Sequence, residues 1–189
     1  MQIYLMRHGQ SMWQVNCCPT QDSEITHIGK LQASYLNTHI RNLIKEDFNN
    51  SIVYVSPLKR AIQTIEGLGI DYVLEPDIKE APFHVASSLP QFNRPFVYGR
   101  EFSKEPNYTK FKNDLKNVLD KIILNNNNKN VYLYTHGGVI KTIIRIIHDN
   151  DSICYTINNC SVTKIIWENS RWKIKVLNDV SFLPKDYIT

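Results

Sequence analysis

The sequence has no long hydrophobic run. Its longest apolar-looking stretch, Val139 to Ile147, is interrupted by Lys141 and Arg145. Nothing in it approaches the roughly 20 apolar residues of a membrane-spanning helix. There is no dense Lys/Arg block either: 22 basic and 18 acidic residues leave a formal charge of +4. That balance excludes a dedicated nucleic-acid binder and suits a small anionic ligand. None of the four cysteines (Cys17, Cys18, Cys154 and Cys160) belongs to a CxxC pair, and adjacent cysteines seldom bond to each other. Reduced thiols in a cytoplasmic protein are therefore expected. The chain starts on a strand-like MQIYLM, with no basic n-region and no apolar h-region, so a secretory signal is not expected. Long internal repeats are absent. The one low-complexity stretch, Asn125 to Asn130 (NNNNKN), reads as a solvated loop between a helix and a strand.

The remaining composition is ordinary globular, with 42% hydrophobic and 21% charged residues in a 189-residue chain. A chain of this size buries roughly 70% of its unfolded surface in one domain and needs no disulfide or metal staples. Strand and helix patterns alternate along it. Ile3–Met6 reads as a buried strand. Thr26 can cap a helix whose apolar positions are Leu31, Tyr35, Leu36, Ile40, Leu43 and Ile44. Ile52–Val55 is a second strand. Ser56 as N-cap and Pro57 in the first turn then open a helix through Ala61, Ile62 and Ile65, ended by Gly67 and Gly69. Tyr72–Leu74 and Val131–Thr135 are further strands, and Tyr108–Leu124 and Val139–Ile147 are helices. Val162–Trp167 and Trp172–Leu177 form an antiparallel pair turning at Asn169 and Ser170. From Glu75 to about Pro106 both periods fade. Prolines 76, 82, 90, 95 and 106 alternate there with Phe83, Phe92, Phe96, Tyr98 and Phe102, which predicts a packed lid over about 81–106. The expected architecture is an α/β three-layer sandwich: a mostly parallel central sheet, helices on both faces, and the lid.

In such sheets, ligands bind where loops leave the C-terminal strand ends. Three of those ends carry unusual polar groups: Arg7-His8-Gly9-Gln10-Ser11, then Ser56-Pro57 with Arg60 one turn on, then Thr135-His136-Gly137-Gly138. Brought to one edge, they combine two guanidiniums, two imidazoles and helix N-termini, all of which attract anions. Arginine's planar fork matches phosphate oxygens. A neutral imidazole beside arginines is a competent nucleophile, because like charge disfavours its protonation. Such chemistry needs a carboxylic acid for the leaving oxygen. Glu80 stands just before the lid, whereas Glu66 lies mid-helix and Glu75 ahead of a proline. His27, His39 and His148 sit in helices or their approaches and read as structural, as do Ser161 and Trp13. His84, Arg94 and Arg100 fall in the lid. A metal held by His8, His136 and Glu80 fits no compact ligand motif.

These motifs resemble the histidine phosphatase superfamily, the phosphoglycerate mutase-like enzymes. They are LMRHGQS (Leu5–Ser11), ITHIGKLQA (Ile25–Ala33), VSPLKRAIQT (Val55–Thr64), Glu80, YTHGGVIK (Tyr134–Lys141) and NNCSVT (Asn158–Thr163), in the family's order and over nearly the whole chain. The resemblance implies that His8 becomes phosphorylated. Arg7, Arg60 and His136, with Gly137 beside it, would hold the phosphoryl group. Glu80 would donate a proton and later activate water. No metal or other cofactor is implied. Many members carry Asn where this chain has Gln14, so Gln14 stands as the candidate for that phosphate contact. The resemblance implies a phosphatase acting on a small phosphorylated metabolite, with a phosphoprotein also open. A mutase and a non-catalytic phospho-ligand module are the alternatives, and the short chain counts against the mutase.

Overall fold

The computed structural model describes residues 1–15, 20, 22–46, 48–81, 107–126 and 129–189, which hold four α-helices and six β-strands. In chain order they are β1 (Gln2–Arg7), α1 (His27–Glu46), β2 (Ser51–Val55), α2 (Lys59–Ile65), β3 (Val73–Leu74), α3 (Tyr108–Asn125), β4 (Asn130–Thr135), α4 (Gly137–His148), β5 (Val162–Glu168) and β6 (Arg171–Asp179). The expected lid, beyond Ala81, lies outside the described residues, as do Cys17, Cys18, His84, Arg94 and Arg100. No described helix is long and apolar enough to cross a membrane.

The strands form one sheet in the order β3-β2-β4-β1-β5-β6. β3, β2, β4 and β1 run parallel, β5 is antiparallel to β1, and β6 is antiparallel to β5. Successive strand residues face opposite sides. In β1, Tyr4 and Met6 pack with Leu36, Ile40 and Ile44 of α1 and Ala61 and Ile65 of α2. Ile3 and Leu5 face the other way, onto Leu115, Val118 and Leu119 of α3 and Val139, Ile140 and Ile143 of α4. Burial on both faces explains why the central strands read as unbroken apolar runs. Three layers result, as expected.

Register positions the loops. β1 pairs with β4 so that Arg7 lies opposite Thr135, and β2 pairs with β4 so that Val55 lies opposite Tyr134. His8, Ser56 and His136 therefore leave the same sheet edge from three adjacent strands. The cap expected at Thr26 is present: the Gly29 N–H donates to Thr26 Oγ1 at 3.0 Å. Asn169 and Ser170 turn the β5–β6 hairpin with φ of 52° and 57°, the left-handed pair that suits a tight hairpin. Gly69, at φ 69°, caps the 3-10 turn Glu66–Leu68 that follows α2.

Two local expectations are corrected. The α2 helix starts at Lys59, after an extended Leu58, and Ser56 is not its N-cap. The Ser56 hydroxyl instead meets His136 Nε2 at 2.7 Å, because the neighbouring strand end offers it a buried imidazole. On α1, Tyr35 is exposed rather than core-facing, its ring lying 6.1 Å from that of Tyr187. Tyr35 is about 100° around the helix from Leu36, and the buried face is completed instead by Ala33 and two polar residues, Gln32 and Asn37.

Backbone approaches backbone where the loop after β1 meets the start of α1. A Cβ at Gly29 would sit 2.2 Å from the Gln10 carbonyl oxygen, and one at Gly9 would sit 2.6 Å from the Gly29 oxygen. Only glycine at both positions permits this crossing. Gly29→Ala is expected to cost about 1–3 kcal/mol, read as a lower urea midpoint with an unchanged slope. An unshifted midpoint would show that the crossing relaxes freely.

Candidate active site

Arg7, His8, Arg60, Glu80 and His136 converge at the shared sheet edge, with Gly137 packed against them. The His8 ring is held at both nitrogens. Its Nδ1 lies 2.7 Å from the Gly9 carbonyl oxygen, which only accepts, so Nδ1 carries the proton. Its Nε2 then accepts from Arg60 Nε–H at 3.1 Å. Arg60 reaches on to Glu80 Oε2 at 2.9 Å. Glu80 Oε1 accepts the Gly138 N–H at 3.1 Å, at the start of α4, where a helix favours negative charge. The Glu80 segment is tied to the sheet by the Thr135 hydroxyl, which donates to the Ile78 oxygen at 2.7 Å. His136 lies beside His8, ring centroids 5.1 Å apart, with its Nδ1 3.9 Å from Glu80 Oε2. Arg7 donates through one terminal nitrogen to the Ile157 oxygen. A Cβ at Gly137 would come within 3.3 Å of Arg7 Nε, so glycine there leaves room for the guanidinium.

Among the described residues, Arg7 Nε and His136 Nδ1 are buried at this edge without a hydrogen-bond partner. Unsatisfied buried donors are costly. An anion in the site would answer Arg7 Nε, and His136 Nδ1 as well in the tautomer whose Nε2 accepts from the Ser56 hydroxyl. Burial first, then the Arg60 and Arg7 charges, hold His8 well below its ordinary value of 6.5. Burial and Arg60 likewise keep His136 neutral, against the pull of Glu80. Burial alone would raise the Glu80 carboxyl. The surrounding His136, Arg60 and Arg7 and the Gly138 N–H outweigh it and bring its pKa down to about 2. The resting site thus holds a neutral imidazole with a free-base Nε2, an ionised carboxylate and two guanidiniums.

Gln14 is engaged elsewhere. Its Oε1 accepts from the Ser11 N–H at 3.0 Å and its Nε2 donates to Asn159 Oδ1 at 2.9 Å. Among the other histidines, His39 stacks on Phe182 and His148 on Tyr155. The Ser161 hydroxyl is buried and has no hydrogen-bond partner among the described residues.

Several buried polar residues brace the site, and the motif pattern did not single them out individually. Thr64 accepts from the Gly9 N–H at 2.9 Å and donates to the Arg60 oxygen at 2.6 Å, so one hydroxyl ties the His8 loop to the Arg60 helix. Asn37 donates to the Thr64 oxygen and accepts from the Tyr134 hydroxyl. Asn159 donates to the His8 oxygen at 2.9 Å. Gln32 accepts the Gln10 N–H and donates to Thr189 Oγ1. Polar residues on an otherwise apolar helix face, as at Gln32 and Asn37, were the available signal.

His8, Glu80 and His136 also place ligand atoms within 4.8 Å of one another, a spacing that a metal ion accepts. Arg60 already fills that position chemically, donating to both His8 Nε2 and Glu80 Oε2. A metal would have to displace a permanent cation from both.

The sequence profile of the histidine phosphatase superfamily (branch 1) matches residues 3–180. The chain belongs to that superfamily. Among curated relatives, it is 26% identical to an uncharacterized phosphatase, PhoE, of Bacillus subtilis, with 96% of each chain covered. It is 24% identical to a probable phosphoglycerate mutase, GpmB, of Erwinia tasmaniensis, covering 97% of this chain and 95% of that one. In fold it is similar to a phosphoserine phosphatase of Entamoeba histolytica solved with phosphoserine, at a TM-score of 0.77, 22% identity and coverage of 97% and 99%.

Two measurements test this geometry. A histidine held neutral stabilises the fold above its ordinary pKa of 6.5, and that stability is lost as pH falls, because the unfolded chain takes a proton the folded chain refuses. Glu80 has the same sign, losing its contribution as pH falls from 4.5 toward 2. Below pH 6.5, His8→Asn should flatten the dependence of unfolding free energy on pH by about 1.4 kcal/mol per unit. Identical slopes would contradict a neutral His8. Thr64→Val should lower kcat/KM about tenfold or more by releasing the Gly9 N–H and the Arg60 helix, while Thr64→Ser stays within about threefold of the parent. Equal loss in both variants would assign Thr64 to packing alone.

Proposed function

We propose that the protein is a metal-independent phosphomonoesterase that forms a covalent phosphohistidine on His8 Nε2. The observation that carries this reading is the held, unprotonated Nε2 of His8, set among Arg60, the unpartnered Arg7 Nε and His136 Nδ1, and Glu80. A phosphoryl dianion takes over the Arg60 donors and frees Nε2 to attack phosphorus. Arg7, Arg60 and His136 Nδ1–H stabilise the charge on its oxygens. As Nε2 bonds to phosphorus, the ester P–O bond breaks and the leaving oxygen takes a proton from Glu80. Glu80 is ionised at rest. Bound phosphate neutralises the guanidiniums that hold its pKa low, and burial then favours the acid. A monoester binding as its monoanion, with a second pKa of about 6, brings the proton with it. In the second half, Glu80 takes a proton from water, the hydroxyl attacks phosphorus, and the P–N bond breaks to return neutral His8.

The reading extends to substrate class and location. The Entamoeba histolytica phosphoserine phosphatase has also been solved with 3-phosphoglyceric acid, which supports a small phosphorylated metabolite. The free thiols of Cys154 and Cys160 suit a reducing cytoplasm. Transfer of the phosphoryl group to a second substrate hydroxyl is the other reading, favoured by the name of the Erwinia tasmaniensis relative. Chain length does not separate the two, since that mutase-named relative is matched over 95% of its own length.

With p-nitrophenyl phosphate in excess EDTA, the protein should turn over and carry an acid-labile, alkali-stable phosphoryl group. His8→Ala should lose at least about 10³-fold in kcat. Full activity in His8→Ala, or activity abolished by EDTA, would overturn the mechanism. Isomerisation of 3-phosphoglycerate faster than phosphate release would assign the mutase reaction instead.

A further inference from the structure

We infer that Lys141 forms a second anion subsite beside the phosphoryl pocket and selects monoesters whose leaving group carries its own negative charge. This deepens the phosphatase reading and rests on it for the identity of the first anion. The α4 helix is buried along Gly137–Arg145 except at Lys141, which is half-buried. A helical side chain covers the turn preceding its own Cα. For Lys141 that turn contains Gly137 and Gly138, neither of which has a side chain to stand in the way. Gly137 packs against Arg7, with 3.3 Å from its would-be Cβ to Arg7 Nε, and the Gly138 N–H binds Glu80. The lysine stem is thus directed over the helix turn that carries two of the site's contacts.

The charges around it explain why this lysine is unusual. No hydrogen bond or ion pair joins Lys141 to any described residue. Charged groups on this side of the fold are otherwise committed. Arg145, one turn on, donates to the Ile153 oxygen. Asp151 is taken by Lys112 at 2.9 Å and by the Tyr108 hydroxyl at 2.8 Å. Glu80 is held by Arg60. Burial, then Arg7, lowers the Lys141 pKa against smaller upward pulls from Cys154 and Glu80, and the ammonium is ion-paired to no carboxylate among the described residues. A partly desolvated cation without a counter-charge is costly. A phosphoryl dianion neutralises the two guanidiniums, with Glu80 protonated as the acid. Lys141 is the cation left over, and a carboxylate or other anion on the leaving group would answer it.

The test compares 3-phosphoglycerate with glycerol 3-phosphate, which differ by a carboxylate in place of a hydroxymethyl group. The wild-type ratio of kcat/KM should favour 3-phosphoglycerate. Lys141→Met should reduce that ratio about tenfold, the worth of one charge-assisted hydrogen bond, and Lys141→Arg should keep it within about threefold. Phosphate release is the readout, so isomerisation does not enter. The same two ligands are titrated calorimetrically against His8→Ala with and without Lys141→Met. A binding preference lost with Lys141→Met, but with no turnover by the parent, would sink the phosphatase reading and leave the subsite standing. Turnover with ratios unmoved by Lys141→Met would sink the subsite alone. An equal loss for both ligands would also overturn it, because a merely structural lysine would weaken them alike.

Discussion

A guanidinium can be buried only where acceptors meet it. Arg60 is 2% exposed, and it is met by the Glu80 carboxylate and the His8 imidazole. These two contacts define much of the site. They fix the His8 tautomer, keep Glu80 ionised and fill the centre of a ligand set that a metal would otherwise fit. Removing Glu80 would take from the buried guanidinium the carboxylate that pairs with it. In the proposed mechanism an arriving phosphoryl group competes for the same donors and lets Glu80 take up a proton.

The sheet makes that meeting possible. His8 and His136 belong to segments far apart in sequence, and the β1–β4 register sets them side by side. Arg60 arrives from α2, which follows the strand on the other side of β4. The close crossing of Gly9 and Gly29 holds the His8 loop against α1 without a side chain between them. Each functional group is therefore held by backbone as well as by its polar partners.

Much of this was legible in the sequence, and the reasons are physical. The strands showed because both of their faces are buried, as at Ile3–Met6, and the site showed because its polar residues interrupt the chain where those strands end. The order of the motifs indicated the family. Ser56 was misread because a Ser-Pro pair looks like a helix cap whether or not an imidazole waits nearby. Tyr35 was misread because a tyrosine passes for an apolar residue in a periodic pattern. The work of Thr64, Asn37 and Asn159 depends on partners as remote as Gly9, Tyr134 and His8, and no local pattern reveals such pairings. Gln14 showed the same limit: its departure from the family's Asn was visible, while its engagement with Ser11 and Asn159 was not.

The place of β1 in the sheet has a dynamic consequence. Its two neighbours are β4 and β5, so it lies inside the sheet, while the short β3 and the hairpin strand β6 form the rims. Fraying begins at rims, and interior strands open only with the whole fold. Amide protons of Leu5 and Met6 would then exchange at the rate of global unfolding, and those of Val73 and Leu74 far sooner. The His8 imidazole is thus attached to the last part of the molecule to melt, and mild heating would loosen the edges while leaving that imidazole in place.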